Sequence, residues 1–276
     1  MATPNLAGKS AIVTGGASGI GLALVQSFAS YGCNVAILDI VPESAANVQS
    51  ILSSLQTQYP SLTFIYRKCD VSSFEEQAAA FKTFYKKAGS IDIVCANAGI
   101  VEAGRFLEVE DEGESPRKPN LKTLDVDLNG PLYSIKLAVH YMRKNNSKEK
   151  GLIVCTSSDA GIYPFPMAPL YATAKHALVG AVRSFAMPLE KEGIRINALC
   201  PNCIETGLAD DKLFSIMKLT PMTTLLNAVK DFCLDTTLTG VTAEISGDKA
   251  HHRKHPPFVD EITKENLEMF IKLGHA

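Results

Sequence analysis

The stretch "YATAKHALVG" holds a phenol and an amine, Tyr171 and Lys175, able to move a proton between them. Four residues apart on a helix, their side chains share one face. An ammonium beside a phenol favours the phenolate and draws its pKa down from about 10, towards a usable proton acceptor at neutral pH. Ser158 lies one loop earlier, just past an apolar run. If that loop returns, its hydroxyl reaches the same substrate oxygen. Such a group can strip the proton from an alcohol while hydride leaves the carbon, or deliver it in reverse. Taken alone, an ordinary amphipathic pair on a helix is the commoner explanation of Tyr171 and Lys175.

Hydride needs an acceptor, and "TGGASGIG" (14–21) offers a place for one. Gly15, Gly19 and Gly21 follow an apolar run and open a helical stretch, with Ser18 and Ile20 among them. That spacing permits a tight turn, backbone approach to a pyrophosphate, and close packing of helix on strand. The helix N-terminus adds free N–H groups for the phosphates. An NTPase phosphate loop would end in Gly-Lys-Ser/Thr; here Ile20-Gly21-Leu22 follows. The next apolar run ends in Asp39, where a carboxylate can accept both ribose hydroxyls and would repel a 2′-phosphate. No Lys or Arg occurs at 15–21 or 40–42, so the spacing favours NAD over NADP.

These residues must be held by a scaffold, and the rest of the chain describes one. Apolar runs at 10–14, 34–39, 63–67, 91–97, 151–157, 194–200 and 242–247 alternate with helical stretches at 19–31, 43–58, 73–88, 121–146, 170–192 and 220–233. Continuous apolar runs suit strands buried on both faces of a parallel sheet. The alternation predicts an α/β, single-domain, doubly wound parallel sheet of about seven strands with helices on both faces. Two stretches depart from it. Residues 101–120 read as a long loop, and 248–260 as a polar, basic, solvated one, followed by a C-terminal helix carrying Ile262, Leu267, Phe270 and Ile271.

Composition narrows the classes. The 276 residues carry 27 Lys and Arg against 29 Asp and Glu, a net charge of −2, which favours neither nucleic acid nor an anionic membrane. No apolar run approaches the ~20 residues of a membrane span. The first residues lack the basic and apolar regions of a signal peptide. The seven scattered cysteines read as reduced thiols of a cytoplasmic protein. Cys200 and Cys203 have the spacing of a redox dithiol or half a zinc site. Cys200 ends an apolar run, however, and no second pair completes a zinc site. His251, His252 and His255 have no acidic or cysteine partner at ligand spacing, so no metal is expected.

In order along the chain stand Thr14-Gly15-x3-Gly19-x-Gly21, Asp70-Val71, Asn97-Ala98-Gly99, Ser158, Tyr171-x3-Lys175 and Pro201 to Thr206. Together they resemble the short-chain dehydrogenases/reductases over nearly the whole chain, nearest the NAD-linked 15-hydroxyprostaglandin dehydrogenase-like branch and its fungal relatives. The resemblance implies a Rossmann-like sheet, a nicotinamide cofactor, and Ser158, Tyr171 and Lys175 as catalytic residues. It also places Asp70 and Val71 near the adenine, Asn97, Ala98 and Gly99 along the adenosine, and Ile204 and Thr206 at the nicotinamide. A homodimer or homotetramer through helices at 121–146 and 170–192 is implied as well.

The family usually carries a catalytic Asn in an Asn-x-x-Gly setting that holds a water beside the Lys. Here the matched residue is Asp127, in Asp127-Leu128-Asn129-Gly130. Asn129 lies roughly 200° further round a helix and should point elsewhere. Two readings stand: Asp127 carries the proton relay, the preferred one, or the relay is altered and slower. Ala96 replaces an Asn often found before Asn97, and Asn202 replaces a Gly whose left-handed backbone Asn can tolerate.

The substrate side carries Ile162, Tyr163, Phe165 and Met167, then Leu213, Phe214, Ile216, Met217, Leu219 and Met222. Such a lining suits a lipophilic alcohol or ketone, and its methionines would let it adapt. A core or subunit-contact stripe is the plainer reading of 208–222. The leading expectation is an NAD-dependent oxidation of a secondary alcohol. Its rivals are a biosynthetic ketone or imine reductase and a non-catalytic dinucleotide-binding scaffold.

Overall fold

The computed structural model describes residues 3–104, 106–107, 118–206 and 216–274. One sheet of order β3-β2-β1-β4-β5-β6-β7-β8 holds every strand of the described residues. The strands are β1 (Ser10–Thr14), β2 (Asn34–Asp39), β3 (Phe64–Lys68), β4 (Ile93–Ala96), β5 (Gly151–Thr156), β6 (Ile194–Pro201), β7 (Thr242–Ser246) and β8 (Lys249–Arg253). Every neighbouring pair is parallel except β7 with β8.

Alternate residues of each strand enter opposite cores. Ala11 and Val13 of β1 face a cluster built with α1 (Gly19–Ser30), α2 (Ala46–Gln58) and α6 (Met222–Leu234). Ile12 faces the other cluster, built with α3 (Phe74–Ala88), α4 (Gly130–Met142) and α5 (Pro169–Glu190). A strand with apolar partners on both sides favours apolar residues on both faces, which is why the runs read as largely continuous rather than alternating. Local chemistry sets some helix ends. Ser73 caps α3 by accepting from the Glu76 N–H, Glu75 and Glu76 fill its first turn, Lys86 and Lys87 its last, and Gly89 closes it at φ +81°.

The structure corrects the sequence reading at two elements. Residues 249–253, expected as solvated loop, form the antiparallel edge strand β8, paired from Thr242↔Arg253 to Ser246↔Lys249. An exposed edge strand buries no apolar face, so it leaves no hydrophobic signal. Arg253 meets Glu244 of β7 at 3.3 Å. The single helix expected over 121–146 is instead a helical turn (Lys122–Leu124), a π-helical turn (Asp125–Asn129) and α4. The C-terminal helix α7 (Glu261–Leu273) is present, capped by the Asp260 carboxylate, and none of its residues is buried. Among the described residues no helix is long and apolar enough to cross a membrane. Leu213 and Phe214, and residues 105 and 108–117 of the long loop, lie outside the described residues.

Candidate active site

The strand order reverses between β1 and β4, so their connections diverge and leave a crevice at the C-terminal ends of the strands. Thr14, at the end of β1, ties its two sides together. Its Oγ1 accepts from the N–H groups of Asn97 (2.9 Å) and Ala98 (3.1 Å), and its carbonyl accepts from Asn97 Nδ2 at 3.1 Å. Asn97 Oδ1 in turn accepts from Thr156 Oγ1 of β5 at 3.0 Å. The Asn97 side chain is thus spent on bracing three strand ends.

The glycine loop begins here. Gly15 has φ +65° with Ala98 so near that an added Cβ would lie 2.9 Å from its Cα. At Gly21 an added Cβ would lie 2.0 Å from the Gly15 carbonyl oxygen. Gly19 has φ +50° and faces the Thr206 side chain. Asp39 closes the cradle: Oδ2 accepts from the Ala17 N–H at 2.9 Å and Oδ1 from the Val41 N–H at 3.2 Å. A glycine loop running into a helix start, with one fixed carboxylate at the end of β2, fits the diphosphate and ribose of a dinucleotide.

Gly21→Ala is expected to weaken NADH binding about tenfold or more, since overpacking costs about 1–3 kcal/mol and no flexible atom can yield. Gly180→Ala is the control, because an added Cβ there meets nothing within 4 Å. NADH fluorescence titration checks both; equal affinities would remove Gly21 from the cradle.

Asp70 and Val71 follow β3. Cys69 N donates to the Asp39 carbonyl at 2.7 Å, which sets the pair beside the end of β2. Ser72, through its hydroxyl (2.7 Å) and N–H (2.9 Å), holds the Asp70 carboxyl below the usual range. Val71 is buried against Gly130.

Tyr171, Lys175 and Asp127 meet on α5 and the π-helical turn. Pro169 starts α5, its missing N–H costing nothing in a first turn. Lys175 Nζ lies 3.0 Å from Asp127 Oδ2, donates to the Thr156 carbonyl at 3.2 Å, and stands 5.3 Å from the Tyr171 ring centre. The Lys175 side chain is 4% exposed and that of Asp127 0%. Burial opposes the Lys175 charge, but Asp127 and Tyr171 outweigh it and raise its pKa. Burial pushes the Asp127 carboxyl up, opposed by Lys175 and by the Ile100 N–H, which donates to Oδ1 at 2.9 Å. Burial thus pushes the carboxyl up while its partner opposes that shift, and the lysine is held above its ordinary value.

Gly99 leaves room for this pair, since an added Cβ would lie 3.0 Å from Asp127 Oδ2 and 3.3 Å from Lys175 Nζ. Asn129 points elsewhere, donating to Asp125 Oδ1 at 3.1 Å on the exposed side. Ser158 Oγ donates to Asp159 Oδ1 at 2.8 Å rather than to Tyr171, and accepts from the Ala160 N–H. The adjacent Ser157 Oγ donates to the Lys175 carbonyl at 2.9 Å, locking the β5 loop to α5.

After β6, Ile204 is buried in the core, while Cys203 contacts Met217 sulfur to sulfur at 3.7 Å. Asn202 corrects an expectation. Among the described residues only glycines have positive φ, so it needs no left-handed backbone. Its Oδ1 accepts from the Cys203 N–H instead. Burial pushes the Cys200 thiol up to about 12, the opposite of an activated dithiol. Among the described residues no group of three or more His, Cys, Asp or Glu could hold a metal ion. The sequence reading missed Glu102, whose Oε2 accepts from the N–H groups of Leu170 (2.7 Å) and Tyr171 (3.1 Å). Its one signal was negative: α5 begins with no Ser, Thr, Asp or Asn at 168, so its cap had to come from elsewhere.

Residues 9–213 match the family model described as short chain dehydrogenase. The chain is 36% identical over 180 residues to the short-chain dehydrogenase/reductase prx7 of Penicillium rubens, covering 63% of this chain and 61% of that protein. The chain therefore spans only about three fifths of that relative, but 89% of prx6 from the same fungus, at 30% identity over 94% of this chain. It is 28% identical to the mouse 15-hydroxyprostaglandin dehydrogenase [NAD(+)], covering 89% of this chain and 92% of that one. Levodione reductase has the same fold, with a TM-score of 0.74 at 23% identity over 88% of this chain and 97% of that one. So does the NADPH-dependent 3-quinuclidinone reductase of Rhodotorula rubra, at 0.75 and 24% over 88% and 92%. A crevice of this build, a family match over most of the chain and relatives of this identity agree: the chain belongs to the short-chain dehydrogenases.

Proposed function

We propose that the protein oxidises a lipophilic secondary alcohol to a ketone with NAD, Tyr171 accepting the hydroxyl proton. The observation that carries this reading is the buried Lys175–Asp127 pair at 3.0 Å, with Lys175 Nζ 5.3 Å from the Tyr171 ring centre. Lys175 places its ammonium beside the phenol that accepts the proton. Ser158 Oγ, once it leaves Asp159, donates to the substrate oxygen and orients it. Asp127 keeps Lys175 cationic and, in place of the family's Asn, stands as the carboxylate end of the relay. Gly15, Ser18, Gly19, Ile20 and Gly21 hold the diphosphate, Asp39 the ribose, Asp70 and Val71 the adenine, and Asn97 to Gly99 the adenosine side. Ile204 and Thr206 hold the nicotinamide, which when bound supplies hydride transfer.

Asp39 supports NAD, because its carboxylate, anchored by two backbone N–H groups, cannot swing away from a 2′-phosphate. The mouse relative's name carries NAD(+) as well. Apolar side chains beside Tyr171 support a lipophilic substrate. The Phe165 ring lies 6.5 Å from the Tyr171 ring, and Phe165 and Met167 are 45% and 86% exposed. A homo-oligomer through α4 and α5 belongs to the same proposal.

The test is a screen of cyclohexanol, menthol, borneol and testosterone with NAD and with NADP, read by absorbance of the reduced cofactor, and of the matching ketones in reverse. Turnover of the larger alcohols is expected, with NAD preferred at least roughly 100-fold, the order of ~3 kcal/mol. Tight NADH binding with no turnover in either direction would point to a scaffold instead.

A further inference from the structure

We infer that Glu102 is a positioning residue for Tyr171. The inference rests on the reading of Tyr171 as the proton acceptor. Tyr171 sits in the first turn of α5, where backbone N–H groups have no partner within the helix. Ala168, at the cap position, makes no side-chain hydrogen bond, and no acidic residue lies in the first turn. One oxygen of Glu102, 68 residues before Leu170 in sequence, takes both the Leu170 and Tyr171 N–H groups, at 2.7 and 3.1 Å. The carboxylate therefore performs a cap's work from another segment, at the positive end of the helix dipole.

That segment is itself pinned. The Ile100 N–H donates to Asp127 Oδ1 at 2.9 Å, and the Ala103 N–H to Thr123 Oγ1 at 2.9 Å. Residues 100–103 thus bridge two places. Their backbone is bonded to the turns that carry Asp127, and the Glu102 side chain crosses to the helix that carries Tyr171 and Lys175. Asp127 and Lys175 meet directly, whereas Tyr171 lies one turn earlier, where a helix frays first. Glu102 fixes the backbone of that turn and so holds the phenol in register with the lysine.

Glu102→Ala, Glu102→Gln and Glu102→Asp test this. Gln keeps an acceptor oxygen at the same reach without the charge. Turnover is read with NAD and the fastest alcohol of the screen. In Glu102→Ala, kcat is expected to fall roughly 10- to 100-fold, as misplacement of a reacting group does, with KM for NAD changed less than about twofold. Glu102→Gln should recover most of the loss, and Glu102→Asp, one methylene short, less. A second readout needs no turnover: hydrogen exchange at the Leu170 and Tyr171 amides of the NADH-bound protein should quicken about tenfold in the Ala variant and return towards wild type in the Gln variant. Unchanged kcat, a loss confined to KM for NAD, or equal behaviour of Ala and Gln overturns the inference. Tyr171→Phe separates the two claims: if that variant turns over normally, the base assignment fails, while the exchange result still reports whether Glu102 holds the turn.

Discussion

Asp127→Asn is expected to lower stability at neutral pH by roughly 3 kcal/mol and to shift the alkaline limb of the kcat–pH profile to lower pH. Removing one partner of a buried pair leaves the other charge uncompensated, which costs about 3–5 kcal/mol. Asn still accepts the Ile100 N–H, so the shape of the site is kept and the loss reports the charge. The lysine has one escape. Shedding its proton at pH 7 costs about 4.6 kcal/mol from its ordinary value near 10.4, which caps the penalty at that order. In wild type Lys175 is held above its ordinary value by Asp127. A raised lysine contributes stability that is fully present below its unfolded pKa and is lost as pH rises through the folded one.

The difference between wild type and variant should therefore be largest at neutral pH and shrink at strongly alkaline pH, where both lysines are neutral. It should also shrink in acid, where Asp127 is protonated. Melting temperature against pH checks this, with a gap of roughly 6–12 °C expected at neutrality. Matching melting curves and an unmoved pH–rate profile would take Asp127 out of the relay.

Tyr171→Phe is expected to cut kcat roughly 10³-fold while NADH affinity and melting temperature stay near wild type. The change removes one oxygen and keeps the ring, so the 6.5 Å contact with Phe165 survives. Lys175 keeps Asp127 and the Thr156 carbonyl, so no buried charge is orphaned. Stability and catalysis should separate here, whereas Asp127→Asn should move both. NADH fluorescence titration and single-turnover absorbance measure the two sides. A Phe variant retaining a tenth or more of wild-type kcat would assign the proton acceptor to another group.

Much of the scaffold was legible because its signals are local. Both-face burial favours apolar residues along a central strand, so β1, β2, β4, β5 and β6 stand out as largely apolar runs. The edge strand β8, with Lys249, His251, His252 and Arg253, buries no such face and was read as loop. Helical period set α3 and α5 within a residue or two, but it could not reveal the π-helical turn at Asp125–Asn129. That turn is an extra backbone step rather than a change in side-chain pattern.

The chemistry available is written in the order of residues along the chain. Glycines at 15, 19 and 21 permit backbone that other residues obstruct, a carboxylate ends β2, and Tyr171 and Lys175 share a helix face. Each follows from geometry within a few residues. How those groups are held follows from the packed fold. It brought Asp127 to within 3.0 Å of Lys175, spent the Asn97 side chain on Thr14 and Thr156, and set Glu102 on the first turn of α5. The physical reason is that charge state and orientation depend on distances of a few ångströms between residues far apart in the chain. Those distances exist only once both faces of the sheet are packed.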